Sequence, residues 1–402
     1  MNETRPVAEA GSAPVEPLRS RAALIWLLLP LAVLALAVTW LVTANPLSRF
    51  DNGAPPVENL TFERTVLSDG GIDLLVRAGG SEPMTIAQVQ VDDAYWQFVQ
   101  EPAEPLGRGD TAWIRLSYPW VLGETHAVKI VTNTGATFEH EIAVAVPTPV
   151  ANAATLWSQM LLGAFVGIVP VAIGLMFYPA LRGIGRGGMN FLLATTVGLL
   201  VFLMIDAAGE ALELAGEAAA IFQGQAMVVL AASAAFLILM AAGRRGGTPA
   251  GLTLATFIAL GIGLHNLGEG LAIGAAFAAG AAGLGTFLVL GFTIHNITEG
   301  IGIAAPMLKK RPPLWTFPAL TLLAGGPAVL GLWIGSLAYA PQWSALALAI
   351  GAGAILQVVV EVSAYLARSD GRGTAALLSW PVMAGLAFGV AFMYGTAMLV
   401  KV

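Results

Sequence analysis

The pattern of apolar and polar positions divides the chain into three stretches. Residues 1–20 are polar, with Pro, Ala and Glu, and lead through Arg19 and Arg21 into an apolar run from Ala22 to Thr43. Between residues 47 and 148 apolar and polar positions alternate in short bursts, the pattern of strands with one face in a core. From Ala151 onward long apolar runs predict eight spans, at about 154–178, 188–211, 219–242, 250–276, 281–306, 315–339, 343–367 and 374–399. Each is long enough, at about 1.5 Å per helical residue, to cross the hydrocarbon layer of a bilayer.

The middle stretch contains LTFERTVL, IDLLVRA, MTIAQVQV, YWQFV, TAWIRLSY, HAVKIVT and TFEHEIAV. Turn signals separate them, among them Ser68-Asp69-Gly70-Gly71, Ala78-Gly79-Gly80, Gly107-Arg108-Gly109-Asp110 and Asn133-Thr134-Gly135. Seven short strands so spaced predict an antiparallel β-sandwich of immunoglobulin-like architecture over 45–150, without that fold's Cys pair. The expected order is therefore a disordered tail (1–21), a transmembrane anchor (22–44), the sandwich (45–150) and an eight-span domain (151–402). A cleaved signal is the alternative for 22–44, since Val42 and Ala44 would satisfy a small-residue cleavage rule, but about 22 apolar residues is long for a signal core.

Composition agrees with a multi-span membrane protein: of 402 residues, 57% are hydrophobic and 11% charged. Cysteine is absent, which removes disulfides and thiolate ligands together. The metal ligands left are imidazole, carboxylate and amide, which suit Zn, Fe, Mn, Co or Ni rather than Cu(I). The net charge of −6 is unevenly spread: the middle stretch is strongly acidic and the spans slightly basic. Nothing resembles a nucleic-acid surface. Arg182 and Arg186, Arg244 and Arg245, Lys309 with Lys310 and Arg311, and Arg368 with Arg372 follow the first, third, fifth and seventh spans. The other linkers are short and lack Lys and Arg, so the positive-inside rule makes the basic linkers cytoplasmic. The N-terminus is then cytoplasmic, and the sandwich and C-terminus, Lys401-Val402, extracytoplasmic, in a multi-pass protein of the cell membrane.

Candidate chemistry lies in a segment written twice. Residues 261–277 read GIGLHNLGEGLAIGAAF and residues 291–307 read GFTIHNITEGIGIAAPM. On a helix, positions i and i+4 share a face, so His265 projects beside Glu269 and His295 beside Glu299. Asn266 and Asn296 lie about 100° round from the histidines. A charged carboxylate in hydrocarbon costs roughly 2.5–3.5 kcal/mol or more, so such residues face a partner, an ion or water. One Asn or His in a span is often interhelical glue. The same string twice at one depth points to a divalent-cation site instead. In the middle stretch, His140 between Glu139 and Glu141 reads as an ordinary strand histidine, because strand neighbours face opposite ways.

At these residues the sequence resembles the ZIP family of divalent metal-ion transporters, whose fourth and fifth core helices carry His-Asn-x-Pro-Glu-Gly strings. The resemblance covers about residues 151–402. It implies a three-two-three arrangement of the eight helices, a homodimer, and inward transport of zinc, iron, manganese or a related ion such as cobalt or cadmium, with zinc first. It implies His265, Asn266, Glu269, His295, Asn296 and Glu299 as ligands, the ion being substrate rather than prosthetic group. Two positions depart from the family: its Pro is Gly268 in one copy and Thr298 in the other, which predicts a weaker bend. Its sixth-helix Glu-Pro is Gly326-Pro327, which favours one ion over two.

A second internal match, Gly198–Asp206 against Gly353–Glu361, lies on spans that run in opposite directions, as an inverted repeat demands. It suggests a path, with Asp206 and Glu210 as cation ligands on the way in and Glu361 as an exit-side relay. Glu213 and Glu217 read as solvated loop charges. Besides a transporter, which is not an enzyme, two readings stay open: a non-transporting membrane metal sensor and a membrane-embedded metalloenzyme. The expected partners are the metal ion and membrane lipid; the sequence names no partner for the sandwich.

Overall fold

The computed structural model describes residues 21–44, 46, 56–279, 282–309, 311–369 and 373–400. The expected disordered tail up to residue 20, Lys310, Arg372 and Lys401-Val402 lie outside the described residues. The chain divides into two compact units, Met1–Pro55 and Pro56–Val402. The first holds α1 (Arg21–Ala44), the apolar helix expected from the run after Arg21.

The second unit opens with β1 (Leu60–Ser68), β2 (Gly71–Ala78), β3 (Ile86–Val91), β4 (Ala94–Trp96), β5 (Phe98–Glu101), β6 (Thr111–Leu116), β7 (His126–Thr132) and β8 (Thr137–Ile142). They form two four-stranded antiparallel sheets, ordered β1-β2-β6-β5 and β4-β3-β7-β8. Lettered A to G with an added C′, this is the immunoglobulin order. Alternation places Ile72, Leu74, Val76, Ile114, Leu116, Val128 and Ile130 in the core. The seven expected strands become eight because YWQFV breaks at Gln97: Trp96 pairs with Val89 in one sheet and Phe98 with Leu116 in the other. Each half keeps the alternation, so periodicity cannot reveal the change of sheet.

Polar residues of the sandwich are paired. Asp92, at φ 52°, accepts from the Ala127 N–H at 2.9 Å, from Tyr118 Oη at 2.8 Å and from His126 Nδ1 at 2.8 Å. Burial works to raise the Asp92 carboxyl, but these bonds outweigh it and hold the group below its ordinary pKa. His140 stacks on Phe62 with ring centroids 4.9 Å apart and bonds Thr65 at 2.8 Å, while Glu139 and Glu141 are exposed. Burial lowers the His140 pKa.

Among the described residues, eight helical segments are long and apolar enough to cross a membrane, which makes this a multi-span membrane protein. The first span, Ala153–Leu181, joins α2 (Ala153–Gly163), a π turn (Ala164–Ile168), α3 (Val169–Met176) and α4 (Tyr178–Leu181). Next come α5 (Arg186–Glu217), α6 (Gly224–Gly243), α7 (Leu252–Ala278) and α8 (Ala282–Ala304). The sixth span, Thr316–Leu337, is split into α9 (Thr316–Gly325) and α10 (Pro327–Leu337); α11 (Pro341–Ser369) and α12 (Trp380–Val400) complete the set. The helices α7 and α8 run unbroken through Gly268 and Thr298, and the irregular turns lie in the first and sixth spans instead. Proline is the cause in both: Pro170 and Pro327 lack the N–H that a helix directs four residues back.

Glycines set how the spans pack. A Cβ added at Gly174 would lie 2.1 Å from Ile297 O, and one at Gly270 2.1 Å from Ala328 O, so backbone meets backbone between spans one and five and between spans four and six. The same holds for spans two and eight at Gly389 and for spans three and seven at Gly353. Close approach of this kind needs the missing side chain. Across these two groups of four, Gly302 faces the side chain of Thr196, Gly268 that of Leu348 and Gly261 that of Val358, while Gly351 meets the backbone of Leu264 and His265 more loosely, at 3.2 Å.

The sandwich rests on the ends of the third, sixth and seventh spans. Arg64 donates to Leu337 O at the end of α10, Gln342 Nε2 donates to Glu63 Oε1 at 3.1 Å, and the Arg77 guanidinium lies 5.3 Å from the centre of the Phe222 ring. Burial depresses the Arg64 pKa.

Candidate metal centre

The helices α7 and α8 pack against each other and bring the two copies of the repeat together. His265, Asn266, Glu269, His295, Asn296 and Glu299 are all buried, none more than 5% exposed. Glu269 Oε1 lies 3.1 Å from His265 Nε2 on its own helix and 2.6 Å from His295 Nε2 on the other. The His295 imidazole thus meets the carboxylate across the helix interface. One ligand atom each from His265, His295 and Glu299 lie within 4.8 Å of one another. Ligands at about 2.1 Å from a tetrahedral ion stand about 3.4 Å apart, so atoms at that limit would close by about 1.4 Å on binding one.

Each asparagine is tied at one end. Asn296 Nδ2 donates to Val166 O at 3.1 Å, and Asn266 Nδ2 to Ala324 O at 3.0 Å. Val166 is four residues before Pro170, so its carbonyl has lost its helical donor, and Asn296 supplies one. Ala324 O is among the last carbonyls of α9, which a helix end leaves without partners. Pro170 therefore exposes the carbonyl that orients Asn296, and the end of α9 the one that orients Asn266. Fixing each Nδ2 leaves Asn266 Oδ1 and Asn296 Oδ1 without hydrogen bonds, as are both oxygens of Glu299 and Nδ1 of His265. Buried polar atoms are rarely left so. Five in one cluster, with two imidazoles, two carboxylates and two amides, form a donor set that fits a divalent transition metal.

Asp206 and Glu210 are exposed on α5, as are Glu213 and Glu217 further along it. In the linker after α10, the Tyr339 phenol is pushed up to about 12 by burial and then by the charges of Glu217 and Glu210. Glu361 is buried in a different pairing: its Oε1 accepts from Arg244 Nε at 2.7 Å, and its Oε2 has no partner. Gln357, one turn before Glu361, is fully buried with neither amide atom bonded. The sequence reading passed over it because a single amide in a span carries no pattern; the position i−4 to Glu361 is the signal that would have marked it. The Val166 and Ala324 carbonyls were also missed, although Pro170, four residues on, marks the first.

The fold and this cluster define a multi-span membrane protein with a buried His/His/Glu group that could hold a metal ion. No protein-family model matches the chain, and no curated protein matches it.

Proposed function

We propose that this protein carries a divalent transition-metal cation across the membrane, as a ZIP-like transporter rather than an enzyme. The observation that carries the reading is the set of unpaired donors, Glu299 Oε1 and Oε2 with Asn266 Oδ1 and Asn296 Oδ1, buried midway along two spans. Unpaired buried oxygens are costly, and a cation that sheds its water there offsets that cost. Zinc is the first candidate, then iron, manganese, cobalt and cadmium, since the set mixes nitrogen and oxygen. A mixed set also holds an ion less tightly than a closed thiolate cage, which turnover requires.

In this reading the ion approaches past Asp206 and Glu210 from the side of the sandwich, meets His265, His295, Glu269 and Glu299, and leaves past Glu361. The basic linkers make the far side cytoplasmic and the sandwich external. The packing supports a sliding mechanism. Spans one, four, five and six meet through close backbone contacts, as do spans two, three, seven and eight, whereas the glycines that face across the two groups meet side chains or, at Gly351, backbone at a looser 3.2 Å. The first group holds the cluster and would move as a body against the second, as the resemblance implies. One observation favours a sensor instead: the grip of Arg64, Glu63 and Arg77 on these span ends would carry a change in the spans to the sandwich.

Uptake of Zn, Fe(II), Mn, Co and Cd into liposomes by the native chain and by Glu269→Ala/Glu299→Ala tests the proposal. Uptake by the native chain, lost in the double variant, is the expected result. Metal bound by the native chain with no flux would overturn transport and leave the sensor.

A further inference from the structure

A recess of about 850 Å3 opens between the end of the first span and the start of the sixth, at the end of the bundle opposite to that gripped by the sandwich. Its size falls in the range of roughly 300–1,000 Å3 usual for small-molecule sites. Its walls are apolar, from Ile168, Leu175, Met176, Phe317 and Leu322. Two guanidiniums, those of Arg182 and Arg311, line it as well, and both residues are exposed. Among the described residues neither has an ion-pair partner. Arg182 is oriented by the ring of Tyr178, 6.0 Å away, which itself meets Phe317 edge-on at 5.1 Å. Beside the recess Leu314 is 85% and Trp315 68% exposed. An exposed Trp at the end of a span marks the headgroup level of a bilayer.

An apolar chamber at headgroup depth with two unpaired cations at its rim matches a molecule with a hydrocarbon tail and a negative head. A zwitterionic lipid carries an ammonium beside its phosphate and so compensates two guanidiniums less fully, and a soluble anion would leave the apolar walls bare. We propose that the recess binds one anionic glycerophospholipid, its acyl chain between the first and sixth spans and its phosphate between Arg182 and Arg311. Ile168 lies two residues after Val166, and Leu322 two before Ala324, the residues whose carbonyls hold Asn296 and Asn266. The lipid would therefore brace the two spans that orient the asparagines. This inference does not depend on metal transport.

The test is native mass spectrometry of the delipidated full chain, titrated separately with phosphatidylglycerol and phosphatidylcholine of identical acyl chains. The native chain is expected to hold phosphatidylglycerol tighter by roughly tenfold or more, and Arg182→Gln/Arg311→Gln to lose that preference. Ala172→Phe, which fills the recess and keeps both arginines, is expected to weaken both lipids; thermal melting checks that each variant is folded. Equal affinity for the two lipids in the native chain would overturn the proposal, as would a preference that survives the double arginine variant. Displacement of the lipid by millimolar inorganic phosphate would also overturn it, by showing a bare anion site.

Discussion

Glu63 in the sandwich and Glu299 in the spans are both almost fully buried, at 4% and 1% exposure. Glu63 is saturated: its Oε1 meets Arg77 Nε at 2.5 Å and Gln342 Nε2 at 3.1 Å, and its Oε2 meets Arg77 Nη2 at 3.1 Å. Glu299 forms no hydrogen bond with either oxygen. Desolvation penalises both carboxylates, and only the first is compensated by the protein itself. Pairing of this kind marks a joint, here between the sandwich and the first turn of α11. Unpaired donors in a cluster mark a place kept for something else.

The largest expected effect comes from breaking the tie that leaves an amide oxygen free. Asn296→Ala removes both Oδ1 and the bond to Val166 O, and should weaken Zn or Mn binding by about 10–100-fold, measured by calorimetry. Unchanged affinity would make Asn296 mere glue between α8 and the first span. In the sandwich the prediction is about stability. Glu63→Ala leaves the Arg77 guanidinium without its carboxylate and should cost about 3 kcal/mol in denaturant unfolding, with metal affinity unchanged. Glu63→Leu combined with Arg77→Met should recover most of that loss, because an apolar pair needs no compensation.

The two kinds of helix interface separate in the same way. Gly174→Ala drives a methyl against Ile297 O and should cost about 2 kcal/mol or more, read as thermal melting. Gly268→Ala meets the Cδ2 end of the Leu348 side chain, which can change rotamer, and should cost less than about 1 kcal/mol. Equal costs would argue against a sliding surface between the two groups of spans.

The smallest effect is a pH dependence of the sandwich. Burial depresses His140, so between its folded value and the ordinary 6.5 the unfolded chain binds more protons. Stability is complete above about pH 6.5 and falls as pH drops below it. Melting temperatures between pH 7.5 and 5.5 should show a slope that flattens in His140→Gln. Asp92 is held below its ordinary 3.8 and so titrates beneath this window.

Much of this was legible along the chain because it depends on periodicity and length. Period-two alternation marks every strand but cannot show that the chain changes sheets at Gln97, since each half keeps its phase. Long apolar runs mark the spans, and the doubled His-Asn-x-x-Glu-Gly string marks six polar residues that the structure brings together. Glu361 was legible as a buried carboxylate but not as the partner of Arg244, which lies 117 positions away in the chain.

The sequence by itself determined the elements and the chemistry on offer, because helix and strand periods and the lack of Cys are local properties. Tertiary structure decided which donors are spent and which stay free. Pro170 and the end of α9 only become meaningful when Asn296 and Asn266 are found against Val166 O and Ala324 O, and Glu269 only becomes a bridge when α8 brings His295 to it. Hydrogen bonds saturate, so the state of a polar atom depends on its nearest neighbour in space, and spacing along one helix cannot supply that neighbour.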